Sequence, residues 1–220
     1  MRNRVSILLS FAVRRDYRAS NPCARLEQVT PPAKTPQILT PQELEICSRW
    51  FASNPRALGW FALSALAGLR PHEAQQTTWG NINTEEGWIR VEAQTSKIRQ
   101  RRVVYAPAQA LAWLRAARAL GATLPLTTNE RFWAVRGLVE ALGWPTWKQD
   151  VTRHSAATYM LATSESAAAV ANTLGNSESI LRRHYLALVT RPQAEAFWAV
   201  PPPAVPATAS PSATSARTSP

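Results

Sequence analysis

The stretch "TLGNSESILRRHYLAL", residues 173 to 188, sets one tyrosine between a basic triplet and an apolar tail. Leu181, Tyr185 and Leu188 fall at i, i+4 and i+7, the stripe that an amphipathic helix buries against its domain, so a helix is expected from about 177 to 189. On that pattern alone Tyr185 reads as a core aromatic. Two shorter helices, 150 to 163 and 165 to 174, are expected before it, and a last short one, "RPQAEAFWAV", from 191 to 199.

Upstream, "TNERFWAVRGLVEALG" (128 to 143) and residues 106 to 120 carry apolar side chains at helical spacing, the first ending on Gly143 and the second followed by Gly121. "GWIRVEA" alternates Ile89 and Val91 against Arg90 and Glu92, as a half-buried strand does. The polar turn "QTSKIRQR" then leads into "RVVYAP", which predicts a hairpin with Lys97 near its tip. "RPHEAQQTTW" supplies a short helix, and "PRALGWFALSALAG" a nearly all-apolar one from 55 to 68 that belongs at the centre of the core. "TPQELEICSRWFAS" predicts a helix from 41 to 53 with Thr40 as its N-cap and Pro41 in its first turn.

Composition bounds the rest. A chain of 220 residues, 45% apolar and with nine tryptophans, is long enough for one well-packed domain plus appendages. Residues 1 to 28 hold one terminal helix, from 4 to 19, ended by the "NP" at 21 and 22. Residues 29 to 40 form a proline-rich linker, the main domain runs from 36 to 199, and residues 200 to 220, rich in Pro, Ala, Ser and Thr, are expected to be a disordered tail. The formal charge of +11 favours a polyanionic partner, either nucleic acid or an acidic membrane surface. Cys23 and Cys47 stand alone, without metal-ligand spacing or a disulfide framework. "VSILLSFAV" lacks a following cleavage site and the apolar runs are short of a membrane span, so a soluble cytoplasmic protein is expected.

Three segments, "AGLRPHE", "TSKIRQRR" and "DVTRHSAATY", each set a cation beside a helix boundary or turn. Arg70 follows a glycine break and can project from the end of a buried helix. Arg153 lies in the first turn of its helix, where backbone N–H groups also favour an anion. Two such arginines converging on one phosphate would contact its non-bridging oxygens and hold the charge that develops on phosphoryl transfer. Taken singly, an arginine of this kind is more often a solvated surface charge or part of an ion pair.

In order and spacing these segments together resemble the tyrosine recombinase (phage integrase) family, over residues 36 to 199. "ALAGLRPHEAQQTTWGNI" resembles its first box, with Arg70 followed three residues later by Glu73, and "TSKIRQRRVVYAP" its lysine-bearing hairpin. "DVTRHSAATYMLA" resembles the second box, normally HxxR, and "TLGNSESILRRHYLAL" the third box and nucleophile helix, with Tyr185 nine positions after Asn176. The resemblance implies an α+β, mainly helical fold with a small antiparallel β-sheet. It implies a site-specific recombinase or integrase that breaks and rejoins double-stranded DNA through a 3′-phosphotyrosyl intermediate, as a homo-oligomer on DNA, with no metal, no cofactor and no membrane partner. Arg70 and Arg153 would clamp the phosphate, Lys97 would be the general acid for the leaving 5′ hydroxyl and Tyr185 the nucleophile. Arg99 and Arg101 would join Arg70, Lys97 and Arg153 in contacting DNA. His154, after the second arginine, would be a packing residue.

This chain departs from the pattern in three ways. Asp150 stands where the first histidine of HxxR is usual; it is expected to cap its helix or to orient Arg153, and the cap is preferred. Asn176 stands at the third-box histidine or tryptophan, either donating a hydrogen bond to phosphate or capping the Tyr185 helix. The family's helical core-binding domain would be represented by residues 1 to 28 only, as a remnant. These departures leave an alternative, a catalytically impaired DNA-binding remnant of an integrase. The trailing segment with Phe197 and Trp198 would dock on a neighbouring protomer or pack in cis.

Overall fold

Thr40 and Glu43 close a reciprocal capping box, each side chain accepting from the other's backbone N–H, and the first helix of the main body starts there at Pro41. A computed structural model of the chain describes residues 2–26, 35–93 and 101–206. Residues up to Thr35 and residues from Pro36 form two separately packed units.

In the first unit, α1 (Arg2–Arg14) is followed by a 3₁₀ turn, Pro22–Arg25. The Asn21 amide nitrogen reaches the Ser6 carbonyl and the Ser6 and Ser10 hydroxyls, and its oxygen caps the Cys23 N–H. The helix expected to reach residue 19 stops at Arg14, because Asp16 turns left-handed (φ 57°) and the Tyr17 N–H folds back to the Ala12 carbonyl.

The second unit comprises α2 (Pro41–Ser53), α3 (Leu58–Ala65), α4 (Pro71–Gln76), β1 (Ile82–Asn83), β2 (Trp88–Val91) and β3 (Arg102–Tyr105). It continues with α5 (Ala108–Ala119), α6 (Thr128–Ala141), α7 (Val151–Thr163), α8 (Ala167–Leu174), α9 (Glu178–Tyr185) and α10 (Arg191–Trp198). The fold is thus mainly helical with one antiparallel sheet in the order β1-β2-β3. Every residue of α3 is buried, and the helix packs between α5 and α7, as its all-apolar sequence requires. Its first turn, Pro55–Ala57, is 3₁₀ rather than α. In the hairpin Ile89 pairs with Val104 and Val91 with Arg102, so Arg102 shares the inward face of β3 with fully buried Val104.

Around α7 the backbone is tied to the segment before α2: the Tyr159 hydroxyl donates to the Leu39 carbonyl at 2.7 Å, and the Leu39 N–H to the Ser155 hydroxyl at 2.8 Å. α10 packs on α7 and α2, with Phe197 fully buried and stacked on Tyr159 at 3.8 Å between ring centres. Of the two placements open to the trailing segment, Phe197 therefore takes the one in cis. Beyond it Val200 and Pro203 are buried and the Pro201 carbonyl accepts from Ser48, so the stretch expected to have nothing to bury begins on the core. Residues 207–220 lie outside the described residues.

The helix expected to run to residue 189 ends at Tyr185. Leu186 is extended and Ala187 left-handed (φ 59°), and this break turns Leu188 onto the apolar cluster of α7, α8 and α9 that holds Leu181 and Tyr185. No glycine or proline announces the break. Among the described residues no helix is long and apolar enough to cross a membrane.

Candidate active site

The site grows from a turn that only glycine fits. Gly68, after α3, has φ 73°, and a β-carbon there would stand 2.3 Å from Leu174 Cδ2 of α8. The turn carries the Gly68 carbonyl to Arg153 Nη1, which donates to it at 2.6 Å. It also places Arg70 just before α4.

Arg70 and Glu73 then lock together. The Glu73 carboxylate accepts the Arg70 backbone N–H at 3.0 Å and Arg70 Nη1 at 3.1 Å. Arg102 of β3 adds two bonds to the same carboxylate, Nη1 to Oε1 at 3.0 Å and Nη2 to Oε2 at 2.7 Å. Burial alone would raise the pKa of this carboxyl, which is only 1% exposed; the bonds and charge of Arg102, with those of Arg70, override it and hold the pKa below the usual carboxylate value.

Arg153, in the first turn of α7, is buried and held from behind. Besides the Gly68 carbonyl it donates from Nη2 to the Leu174 carbonyl at 2.7 Å and to Asn176 Oδ1 at 3.1 Å. Burial, then the charges of Arg70 and Arg102, push its pKa down to about 10 against the opposing pull of Glu73 and Tyr185. Arg70 Nη2 reaches the Gly175 carbonyl at 2.9 Å and Asn176 Oδ1 at 3.5 Å. One amide oxygen therefore bridges both arginines. The capping role weighed for Asn176 falls instead to Ser177, whose hydroxyl accepts the Ile180 N–H.

Tyr185 is 7% exposed, and its hydroxyl lies 2.8 Å from His154 Nδ1. His154, expected to be a packing residue, thus faces the reactive-looking oxygen, one residue after Arg153. Burial raises the Tyr185 pKa, Asp150 adds to that, and Arg153 opposes it. The cap preferred for Asp150 is also corrected: the residue is left-handed (φ 52°) and its side chain makes no capping bond. Asp150 instead lines a cleft of about 380 Å³ with Arg70, His72, Arg131, Arg153 and His154.

Of the remaining candidates, Lys97 and Arg99 lie outside the described residues. Arg101 is exposed and pairs with Glu92 at 3.2 Å, away from the cleft. Sequence reasoning missed Arg102, which the alternation of β3 could have placed beside Val104 on the buried face. It also missed Arg131 of α6, whose buried Nε has no hydrogen-bond partner among the described residues, and nothing in "TNERFW" separates it from a surface arginine. Among the described residues no group of three or more His, Cys, Asp or Glu side chains is placed to hold a metal ion.

The cleft can therefore receive an anion between two oriented guanidiniums and beside a histidine whose Nδ1 holds the Tyr185 hydroxyl. No family model matches the sequence, and no curated protein matches it either. Solved structures do match. XerA recombinase is similar with a TM-score of 0.56 at 16% identity over 80% of this chain and 74% of its own. A lambda integrase dimer bound to a COC′ core site gives 0.62 at 17% identity, over 83% of this chain and 70% of that one. XerH site-specific recombinase, bound to a palindromic difH substrate, gives 0.54 at 21% identity, over 73% of this chain and 53% of that one. At such identities the likeness speaks for the fold, and the chain carries the mainly helical α+β fold, with its small antiparallel sheet, of the integrase catalytic domain.

Proposed function

We propose that this chain is a tyrosine-type site-specific recombinase that acts on duplex DNA, with Tyr185 as nucleophile and Arg70 and Arg153 clamping the scissile phosphate. The observation that carries the reading is the bridging of Arg70 and Arg153, which both line the cleft, by Asn176 Oδ1, with the Tyr185 hydroxyl 2.8 Å from Nδ1 of His154, a third residue of that lining. Residues distant in sequence meet there in the pairing that phosphoryl transfer needs.

Attack of the phenolic oxygen on a DNA phosphodiester forms a 3′-phosphotyrosyl bond and releases a 5′ hydroxyl, to which Lys97 supplies the proton. A 5′ hydroxyl of another strand reverses the step, so the bond energy is kept. Action on DNA as a homo-oligomer belongs to the same proposal, since strand exchange joins ends held by several protomers. Glu73 and Arg102 set the position of Arg70 and do not face the phosphate.

A second reading rests on Asp150, which puts a carboxylate in the cleft where the family pattern has a histidine. It gives a protein that binds DNA and does not cut it. Incubation with a nicked suicide duplex carrying the protein's own attachment sequence decides between the two. A covalent adduct stable to SDS, absent from Tyr185→Phe, supports the recombinase; salt-dependent binding without adduct supports the remnant.

A further inference from the structure

The proposed chemistry needs a group to take the Tyr185 proton, because a phenol with a pKa of about 10 is a weak nucleophile at neutral pH. Asp150, at the position where the family pattern has a histidine, makes no hydrogen bond to Tyr185. His184 is the neighbour of Tyr185 in sequence, but its ring centre is 6.3 Å away and no hydrogen bond joins the two. His72 lines the cleft from α4. Among the described residues His154 alone stands within hydrogen-bond distance of the Tyr185 hydroxyl, 2.8 Å from Nδ1.

We propose that His154 is the proton acceptor for Tyr185, a role that rests on the nucleophile reading above and moves the base to the residue after the second arginine. The imidazole carries its own proton on Nε2 and keeps the Nδ1 lone pair free. As Tyr185 Oη bonds to phosphorus, its proton passes to Nδ1 and the bond from phosphorus to the 5′ oxygen breaks. The 5′ oxygen leaves with a proton from Lys97. In the reverse step the 5′ hydroxyl attacks and gives its proton back to Lys97, the bond from phosphorus to Tyr185 Oη breaks, and Nδ1 returns the proton to the departing phenolate.

The charges around the ring suit this work. Burial is the main cause that holds the His154 pKa below that of a free imidazole, and Arg153 and His184 act in the same direction. Arg70 and Arg131 add to the positive side of the cleft. The ring is therefore neutral, and an acceptor, at neutral pH. Asp150 opposes these effects and favours the charged ring. Its negative charge then stabilises the imidazolium formed during attack, which gives a use to the residue that breaks the family pattern.

The test is the rate of covalent adduct formation on the nicked suicide duplex, measured from pH 5 to pH 9 for wild type, Tyr185→Phe, His154→Gln and His154→Phe. The expected wild-type rate falls on the acid side, below pH 6.5. Both His154 variants should be slower by about 100- to 10,000-fold, should lose the acid limb, and should show no matching loss of DNA affinity. A duplex with sulfur in place of the bridging 5′ oxygen separates base from acid: its thiolate leaves without a proton, so His154 variants stay slow on it while Lys97→Ala recovers. A wild-type rate that rises as pH falls from 7 to 5 overturns the assignment without needing any variant to fold. So do His154 variants within about threefold of wild type. An adduct that depends on Tyr185 but not on His154 removes this inference alone; no adduct from wild type removes the nucleophile reading as well.

Discussion

Replacing Glu73 with Gln should destabilise the protein more than any other single polar change near the cleft. The carboxylate is 1% exposed and accepts from both Arg70 and Arg102 and from the Arg70 backbone N–H. Glutamine keeps the size and one acceptor oxygen but removes the charge, leaving two guanidiniums close together without their counterion. Breaking a buried pair from one side costs about 3–5 kcal/mol. That is a large share of the ~5–15 kcal/mol by which domains are stable. For a body of this size it corresponds to a fall in Tm of about 6–20 °C. Arg102→Met should cost less, about 1–3 kcal/mol, because Arg70 and the backbone N–H still hold the carboxylate. Urea unfolding at pH 7 measures both. Since the folded pKa of Glu73 is lowered, its contribution is full above the unfolded carboxylate pKa of about 4.3 and is lost as pH falls through the folded value. The acid limb of wild-type stability should therefore flatten in Glu73→Gln. A variant within about 1 kcal/mol of wild type, or one more stable than Arg102→Met, would refute the reasoning.

His154 gives the opposite pH dependence to that of a histidine gaining an acidic partner. Its folded pKa is lowered, so the unfolded state binds the proton more readily; stability should be full above about pH 6.5 and decline as pH falls below it, and His154→Gln should remove that slope in urea titrations at pH 5 and 7.5. Arg131→Ala should weaken duplex binding and reduce the salt slope of the affinity by about 0.9, while stability stays within ~0.5 kcal/mol, since no partner among the described residues is lost. Phe197→Ala should cost about 3–5 kcal/mol in chemical unfolding, because the ring is fully buried against Tyr159; a loss below about 1 kcal/mol would mean that α10 does not pack in cis in solution.

Helices with a clear apolar stripe and a local cap were legible. Thr40, Pro41 and Glu43 state the start of α2 within four residues, and the observed bounds match. What depends on distant partners was not. The end of α9 is set by Leu188 reaching the α7–α8 cluster, which overcomes the cost of a left-handed Ala187, about 1–2 kcal/mol. Strand β1 is two residues long and exists only by pairing with β2. At the site, the family resemblance pointed to Arg70, Arg153 and Asn176, but a sequence pattern cannot say which acceptor each donor meets. Asp150 was read as a cap because it stands at a helix start, and the resemblance made His154 a packing residue; the Tyr185 hydroxyl that His154 meets comes from 31 residues further along the chain.

The two arginines of the cleft differ in a way that bears on how it meets a phosphate. Arg70 has a carboxylate partner in Glu73, and Arg102 shares it. Arg153 has none among the described residues: its acceptors are the carbonyls of Gly68 and Leu174 and the amide oxygen of Asn176, all uncharged. These bonds use one Nη1 hydrogen and both on Nη2, leaving Nε and the second Nη1 hydrogen without a described partner. The positive charge of Arg153 is thus aimed by neutral groups and held, largely buried, against the repulsion of Arg70 and Arg102. On the proposed reading, a phosphate entering the cleft would supply a counterion and relieve that repulsion. In the proposed reaction, because the carbonyls fix the guanidinium before the anion arrives, little reorganisation would remain when negative charge builds on the phosphoryl oxygens, and the binding would favour the transition state over the resting phosphodiester.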